Sequence, residues 1–159
     1  MPVIVTPVVT PSLSAYTSEP TMQLGTTVMA TDGSLFEYVQ ALSAISGFNA
    51  VGIDESGKAS NLTTTLAATV KRVGVAQISI AISCYGFVQR MGKMSVNVLA
   101  DCNDFVALFT TATAGKLDDA TISECLVLGL NTYASTSTAS TVSAVGAAPL
   151  QIFPYANPA

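Results

Sequence analysis

The chain has 159 residues, half of them apolar and only 10% charged, with ten acidic and six basic residues that give a net charge of −4 and no histidine. This length is enough for one domain with its own core, whereas the few basic residues exclude the clustered cations that nucleic-acid binding requires. The lack of histidine removes the usual general base and the commonest metal ligand. A typical soluble domain has roughly 25% charged residues, and here Ser, Thr and Ala make up the difference. Because protein interfaces are depleted in charge, this composition predicts extensive contact with other chains.

Residues 1–24 are expected to form an extended N-terminal arm. They contain four prolines and one charge, at Glu19, and proline disfavours helix while the intervening Val and Ile favour extended backbone. A disordered tail is the alternative, but such tails are usually more polar and more charged. We expect no secretion signal, because no basic segment precedes the apolar residues. The longest apolar stretch, Val73 to Ile82, is too short to span a bilayer, so no membrane partner is expected.

Residues 25–159 are predicted to form a single β domain, a small antiparallel barrel or sandwich. Strands are expected over 26–31, 35–40 and 50–54, separated by turns at Asp32-Gly33 and Ser56-Gly57 where glycine permits positive φ. The stretch after Leu35 fits both a strand and a helical stripe. We interpret it as a strand followed by a short helical turn that ends at Gly47.

The central segment "SCYGFVQRMGKMSVNVLADC" predicts a bent hairpin. Gly86 marks a bulge or sharp bend, and Met91-Gly92-Lys93 is expected to be a tight turn. Beyond this turn Met94, Val96, Val98 and Ala100 alternate with polar residues, as in a half-buried strand. Arg90 and Lys93 are placed near the exposed end of the hairpin. The adjacent pair Lys71-Arg72 is interpreted as a solvated strand edge.

Further strands are expected over 105–111 and 124–132, with a polar turn between them. Residues 133–149 are low-complexity Ser, Thr and Ala, for which we expect a long loop or an extended crossing segment before a short strand at 150–153. No Asp, Glu, Lys or Arg occurs from Leu126 to Ala159. A free tail of that length usually carries charge for solubility, so much of it is predicted to be buried in the fold or against another subunit.

The candidates for chemistry are few. Cys84, Cys102 and Cys125 are an odd number without metal or disulfide spacing, which favours buried free thiols in a chain made in a reducing cytoplasm. Cys102 or Cys125 as a nucleophile has no evident base. The densest carboxylate group could bind Ca²⁺, although turn-forming roles are favoured; it comprises Asp101, Asp104, Asp118, Asp119 and Glu124. No catalytic, cofactor-binding or metal-binding residue, and no cofactor, is therefore assigned.

Two rival hypotheses remain for surface residues. A receptor-binding module would use Tyr133, Tyr155 and the Asp118-Asp119 loop, whereas a depolymerase or hydrolase would need a carboxylate such as Glu37 or Glu124 in a groove. The aromatic residues in predicted strands are expected to be core rather than ligand platforms: Phe36, Tyr38, Tyr85, Phe87, Phe105 and Phe109.

Five motifs follow one another between residues 25 and 132: "GTTVMATDGSLFEYVQA", "VGVAQ", "YGFVQRMGKMSVNVLADC", "LFTTATAGKLDD" and "LVLGL". In this order they resemble small β-barrel proteins encoded in tailed-phage head gene clusters. These proteins include capsid decoration, or cement, proteins that are loosely similar to the lambda-type head decoration fold. The motifs are structural patterns rather than catalytic signatures.

The resemblance implies a non-enzymatic structural protein of the virion, made in the host cytoplasm. It would bind the outer surface of the capsid through the major capsid protein, as a homo-oligomer for which a trimer is favoured, and stabilise the phage head. A head-fibre, receptor-binding, tail or neck structural protein is the alternative. The arm is expected to add a strand to a neighbouring sheet edge.

Overall fold

The regular structure is almost entirely β-strand, in a computed structural model that describes residues 12–120 and 125–153. The expected all-β class is confirmed. Within these ranges the strands are β1 (Thr27–Met29), β2 (Leu35–Ala41), β3 (Ala50–Ile53), β4 (Lys58–Asn61), β5 (Arg72–Val75), β6 (Tyr85–Val98), β7 (Ala107–Thr110), β8 (Leu117–Asp118), β9 (Leu126–Thr132) and β10 (Ser140–Phe153).

A short helix, α1 (Thr64–Ala67), was not predicted from the sequence. The Thr63 side chain caps it by accepting a hydrogen bond from the Leu66 backbone amide, the usual role of threonine before a helix. Over the described ranges, no helix is long and apolar enough to cross a membrane.

Strand pairing closes two five-stranded rings that share β6. The first ring runs β2-β4-β3-β5-β6 and returns to β2, and the second runs β6-β8-β7-β9-β10 and returns to β6. The pairs β2–β4 and β6–β8 are parallel and the other pairs are antiparallel. The strands therefore form one mixed sheet with two closures, where the sequence suggested a purely antiparallel one.

Strand β6 is continuous where a tight turn was predicted at residues 91–93, so that prediction is wrong. Leu35 of β2 pairs with Met91 and Phe36 pairs with Gln89, which leaves Arg90 as an extra residue in a bulge. Gly92 follows it with φ +99°. The strand bends instead of reversing, because its first part pairs with β2 and its second part pairs with β10. The predicted exposure of Arg90 is also wrong, since it is 6% exposed.

Strand β10 corrects the predicted loop over 133–149, which extends only over 133–139. From Ser140 the chain is a 14-residue strand that pairs with β6, β9 and β5. Its inward positions alternate as Val142, Ala144 and, beyond a bulge, Leu150 and Ile152, all buried. Small residues between them hid this period in the sequence. The alternative of an extended segment crossing the domain describes it correctly.

Two apolar cores correspond to the two rings. The core of the first ring contains Val39, Ala41, Ile45, Val51, Ile53, Ala59, Ala76, Ile80 and Val88. A larger core fills the second ring and extends under α1 and β5; its members include Val73, Val75, Met94, Val96, Val98, Leu108, Leu117, Val127, Leu130, Leu150 and Ile152. The expected inward positions of Met94, Val96 and Val98 are thus confirmed, whereas the fourth, Ala100, lies in an exposed turn beyond the end of β6.

The described part of the predicted arm lies against the chain's own sheet. Thr17 forms a two-bond bridge with Tyr85 at the start of β6, and the backbone and hydroxyl of Thr21 lie 3.1 Å from the Tyr38 hydroxyl. Residues 1–11 of the predicted arm lie outside the described residues. The helical turn predicted before Gly47 is replaced by an antiparallel bridge from Ile45 to Ile80.

Candidate interaction surface

The carboxylate group proposed for Ca²⁺ is brought together only in part. Asp118 and Asp119 meet Cys102, with one ligand atom of each residue within 4.8 Å of the others. Asp101 and Asp104 are exposed on the preceding loop. Glu124 lies outside the described residues.

Burial, neighbouring charges and hydrogen bonds shift the pKa values of the three residues in this cluster. Burial raises the pKa of the Cys102 thiol to about 11, and the carboxylates of Asp119 and Asp118 add to the rise. Burial also raises the pKa of Asp118. It acts on Asp119 in the same direction, but the hydrogen bonds that Asn103 donates outweigh it, so the pKa of Asp119 falls below its usual value.

These features fit a hydrogen-bonded contact between two loops better than a cation-binding site. The backbone amide and side-chain amide of Asn103 both donate to Asp119 Oδ2, at 3.1 and 2.6 Å. Ca²⁺ takes six to eight oxygen ligands, and a protonated thiol is a poor ligand. Because its pKa is high, Cys102 is also poorly suited to act as a nucleophile.

Glu37, a candidate acid for a hydrolase, lies in a buried ion triad and not in a groove. Its two carboxylate oxygens pair with Arg72 and Arg90, and its side chain is 1% exposed. Arg72 also donates to the Asp54 carbonyl, and Arg90 donates to the Leu150 carbonyl at 2.9 Å. The triad thus ties β2, β5, β6 and β10 together. Such an arrangement satisfies a buried charge and leaves no free carboxylate for acid catalysis.

A depression of about 520 Å³ lies beside the triad, lined by residues 53–56 and 69–72. Lys71 is exposed there, as expected of a solvated edge, whereas Arg72 is half-buried and paired. The Asp54 carboxylate accepts from the backbone amides of Ser56 and Lys58. The depression therefore contains charged groups of both signs, and each of them is either engaged in the turn or the triad or is freely solvated.

Phe105 and Tyr133 form an exposed aromatic pair at one end of the second ring. Their ring centroids are 6.0 Å apart at 82°, and Phe105 is 73% exposed with φ +55°. The expectation that Phe105 is core is wrong, although Tyr38, Phe87 and Phe109 are buried. The polar neighbours Asn103 and Asp104 were the sequence signal for this exposed loop. Tyr155 lies outside the described residues.

The outward sides of β9 and β10 carry no ionised side chains of their own, and we call this surface the neutral face. It is bordered by exposed Lys93, which pairs with Val145, and by Arg72, which pairs with Gln151. It is lined by Leu128, Ser143, Val145, Gln151, Phe153 and the bulge Ala147–Pro149. Leu128 and Phe153 are 49% and 57% exposed. Gln151 is paired with Leu128, and Phe153 with Leu126, so these outward residues lie side by side. The charge-free segment was predicted to be buried largely in the fold or against another subunit. Within β9 and β10, the inward-facing residues are buried in the fold, whereas the outward-facing residues are mostly exposed.

Comparison with known proteins gives a fold but no family. No known protein family matches the chain, and no curated protein matches it in sequence. The fold is similar to that of the head fiber gp8.5 N base of bacteriophage phi29, known from a crystal structure, with a TM-score of 0.52 and 11% identity. The match covers 74% of this chain and 97% of that one. At this identity the likeness concerns the fold alone.

Proposed function

We propose that this chain is a structural protein of a phage virion that binds the outer surface of the head. The observation that supports this most is the fold likeness to the base of a phage head fibre, which extends over almost all of that base. The resemblance of residues 25–132 to proteins of phage head gene clusters points in the same direction. The first signal uses the arrangement of strands and the second uses sequence motifs.

The arrangement of the candidate residues supports binding rather than catalysis. The Glu37 carboxylate is held between two guanidinium groups, and the Cys102 thiol is buried beside carboxylates that oppose its ionisation. General acid–base and nucleophilic chemistry both need such groups free and near a substrate. We therefore propose that the protein acts as a rigid body between other proteins.

We further propose that the major capsid protein is the partner and that the chain acts as a homo-oligomer, a trimer being favoured. Two roles fit this placement. A cement protein would stiffen the shell by many modest contacts, each of about 800 Å² per partner for a standard interface. A fibre base would anchor a further segment or protein, and the head-fibre likeness favours this second role.

The test is reconstitution on phage heads that lack this protein. Purified chain is added in increasing amounts, and the bound copies are counted by mass and located by electron microscopy. Saturable binding at symmetry-related positions of the outer surface is the expected result. Absence of binding to heads, with binding to tails or necks, would overturn the head assignment in favour of another virion component.

Heat resistance separates the two roles. If the protein is a cement, heads saturated with it should retain their DNA at a higher temperature than bare heads. If it is a fibre base, saturation should leave this temperature unchanged. In the reconstitution assay, a chain without residues 1–11 tests whether that segment adds a strand to a neighbour. If it does, fewer copies of the shortened chain should bind to the heads.

A further inference from the structure

We propose that the open side of β1 is where the N-terminal segment of a second copy of this chain, residues 1–11, adds a strand. The inference rests on the proposed function for the homo-oligomer, and it deepens that function by naming the contact between copies. Among the described strands, β1 is the only one that pairs with a single neighbour, β2, whereas every other strand has at least two partners. One side of β1 is therefore open along its whole length.

The alternation of hydrogen bonds along β1 gives two residues to this open side. Thr26 and Ala30, at its two ends, each form a backbone hydrogen bond of 2.8 Å with the β2 side of the hairpin. In an antiparallel pair, the backbone groups of alternate residues point to opposite sides of the strand. The amide and the carbonyl of Thr27 and of Met29 thus face outward, where no described strand lies beside them.

This edge lacks the devices that usually prevent another strand from pairing. Charged side chains, prolines and bulges serve this purpose in natural sheets, yet residues 23–31 contain no charged residue and no proline, and β1 pairs regularly with β2. The acids that flank the strand are already engaged. Glu37, opposite Thr27, is held by two arginines, and Asp32 accepts from the Ser34 amide in the following turn. An uncharged strand can therefore approach without leaving a charge unpaired.

Residues 1–11 have the composition of a strand that such an edge accepts. Seven of these eleven residues are Val, Ile or Thr, in the runs 3–6 and 8–10, and none has a charged side chain. Such β-branched residues favour extended backbone. The prolines at positions 2, 7 and 11 limit each run to three or four residues, which matches the three residues of β1. The sequence beyond Phe153, "PYANPA", has no β-branched residue and fits the edge less well.

The path of the described chain favours a second copy over the same copy. Thr17 lies on the side of β6 that faces away from β2, because the backbone groups of Tyr85 bond to Thr17. The open side of β1 lies beyond β2. To reach its own β1, the segment before Ser12 would have to cross back over β6 and β2, past residues 18–24, which already make this crossing. Connections on one side of a sheet rarely cross each other.

One N-terminal segment and one open edge per copy make the contact head to tail. Such contacts close into a ring when the rotation between copies allows it, and the trimer proposed above is one such ring. Because two outward residues offer only two donors and two acceptors, a single contact is small, and micromolar association is expected of it. Ring closure joins several such contacts in one assembly, which raises the net affinity.

Sedimentation velocity of the purified full chain, from about 1 to about 200 µM, tests the proposal. It needs no phage head, so its failure is distinct from failure of the reconstitution. Met29→Pro removes one outward donor, at an edge position where proline is tolerated because the N–H faces solvent. Met29→Ala is the matched control, since it keeps the amide and removes only an exposed side chain. The wild type and Met29→Ala should form oligomers as concentration rises, and Met29→Pro should associate at least tenfold more weakly.

Competition with a synthetic peptide of residues 1–11 tests the other side of the contact, and it does not depend on how Met29→Pro folds. An excess of this peptide should dissociate the wild-type oligomer, whereas the peptide "PYANPA" should leave it intact. Photoreactive benzoylphenylalanine in place of Met29 then locates the contact. In a mixture of chains with and without heavy-isotope labelling, irradiation should join position 29 of one copy to residues 1–11 of another.

Four results would each overturn the proposal: a wild type that stays monomeric throughout, an equal loss of association in Met29→Ala, an oligomer that the peptide of residues 1–11 leaves intact, and crosslinks formed only within one copy. Crosslinks that appear only on phage heads, and that join position 29 to the capsid, would overturn it in favour of a capsid strand on the same edge.

Discussion

The two rings share a strand but are held together by different physics. The first ring has a buried ion triad, in which Glu37 lies on the same side of β2 as the core residues Val39 and Ala41. The core of the second ring contains no charged residue among its described members, and its outer strands β9 and β10 contain none either. Both rings thus bury an apolar core, and the first ring adds charges that must find each other.

The difference between the rings concerns the specificity of the fold. A buried ion pair gains little net stability over apolar packing but penalises any arrangement in which a charge is left alone. The triad joins β2, β5 and β6 to the Leu150 carbonyl of β10, so it specifies how the two rings meet. In the second ring, the outer strands β9 and β10 contain no charged residue and are free of such constraints.

The largest expected effect comes from breaking the triad. Glu37→Gln leaves the buried Arg90 guanidinium without a counter-charge, and it should lower the free energy of unfolding by about 3–5 kcal/mol, measured by urea denaturation. The control Glu55→Gln, at an exposed turn, should change it by less than about 0.5 kcal/mol. Equal effects of the two substitutions would contradict the assigned role of the triad.

A variant with both Glu37→Met and Arg90→Met sharpens the same point. Because it removes both buried charges together, it should be more stable than Glu37→Gln alone. Urea denaturation of the two variants side by side measures this. If the double variant were the less stable of the two, the triad would be a source of net stability rather than of specificity.

In the second ring, the matching substitution is Leu130→Ala. Leu130 is fully buried in the larger core, so the cavity should lower the free energy of unfolding by about 2–5 kcal/mol. The control is Leu128→Ala. Leu128 is only two residues away, but the register shift at Gly129 places it on the opposite, exposed side of β9. Because that side chain is half-exposed, its loss should cost less than about 1 kcal/mol. Similar losses for both leucines in urea denaturation would mean that β9 has no distinct inner side.

A smaller effect is expected where β6 passes from one ring to the other. Gly92 has φ +99°, and an added Cβ would lie 3.0 Å from the Ser34 Cα and closer to its hydroxyl oxygen. Gly92→Ala should therefore lower the melting temperature by several degrees, for a cost of about 1–3 kcal/mol. Gly33→Ala has a similar φ but open space around it, so it isolates the backbone strain. A smaller loss for Gly92→Ala than for Gly33→Ala would be evidence against the close approach of Ser34.

The smallest effect is a rate of thiol modification. At pH 8 only about one in a thousand Cys102 thiols should be ionised, given a pKa of about 11, and the thiolate is the reactive form. Maleimide labelling of the folded protein should therefore reach Cys84 and Cys125, which are half-buried, well before Cys102. In urea all three should react alike. Equally fast labelling of Cys102 in the folded protein would contradict its burial between the two loops.

Local patterns predicted the strands that alternate clearly and failed where a distant partner decides the structure. The turns at Gly33 and Gly57 were correct, because positive φ there is a local requirement that glycine meets. Gly92 also has positive φ, but β2 and β10 pair with both sides of it, so the strand continues through a bulge. A glycine alone cannot tell a bend from a reversal.

The candidate site was less predictable for the same reason. Arg90 was expected in solvent because the exposed end of a hairpin was predicted beside it, whereas its partner Glu37 is 53 residues away in the sequence. Phe105 was expected in the core because its position along the strand was assigned too early, two residues before β7 begins. The lack of charge beyond Leu126 was visible in the sequence, but only strand pairing showed which half of those residues faces outward.

The late position of β10 in the chain has a consequence for synthesis. All strands of the first ring are complete once residue 98 has left the ribosome, but the second half of β6 then has no β10 beside it. Until the last strand arrives, that half presents unpaired backbone groups and the apolar side chains of Met94, Val96 and Val98, a template for unwanted pairing between nascent chains. Lys93, which is exposed on this stretch, is the kind of gatekeeper that limits such pairing.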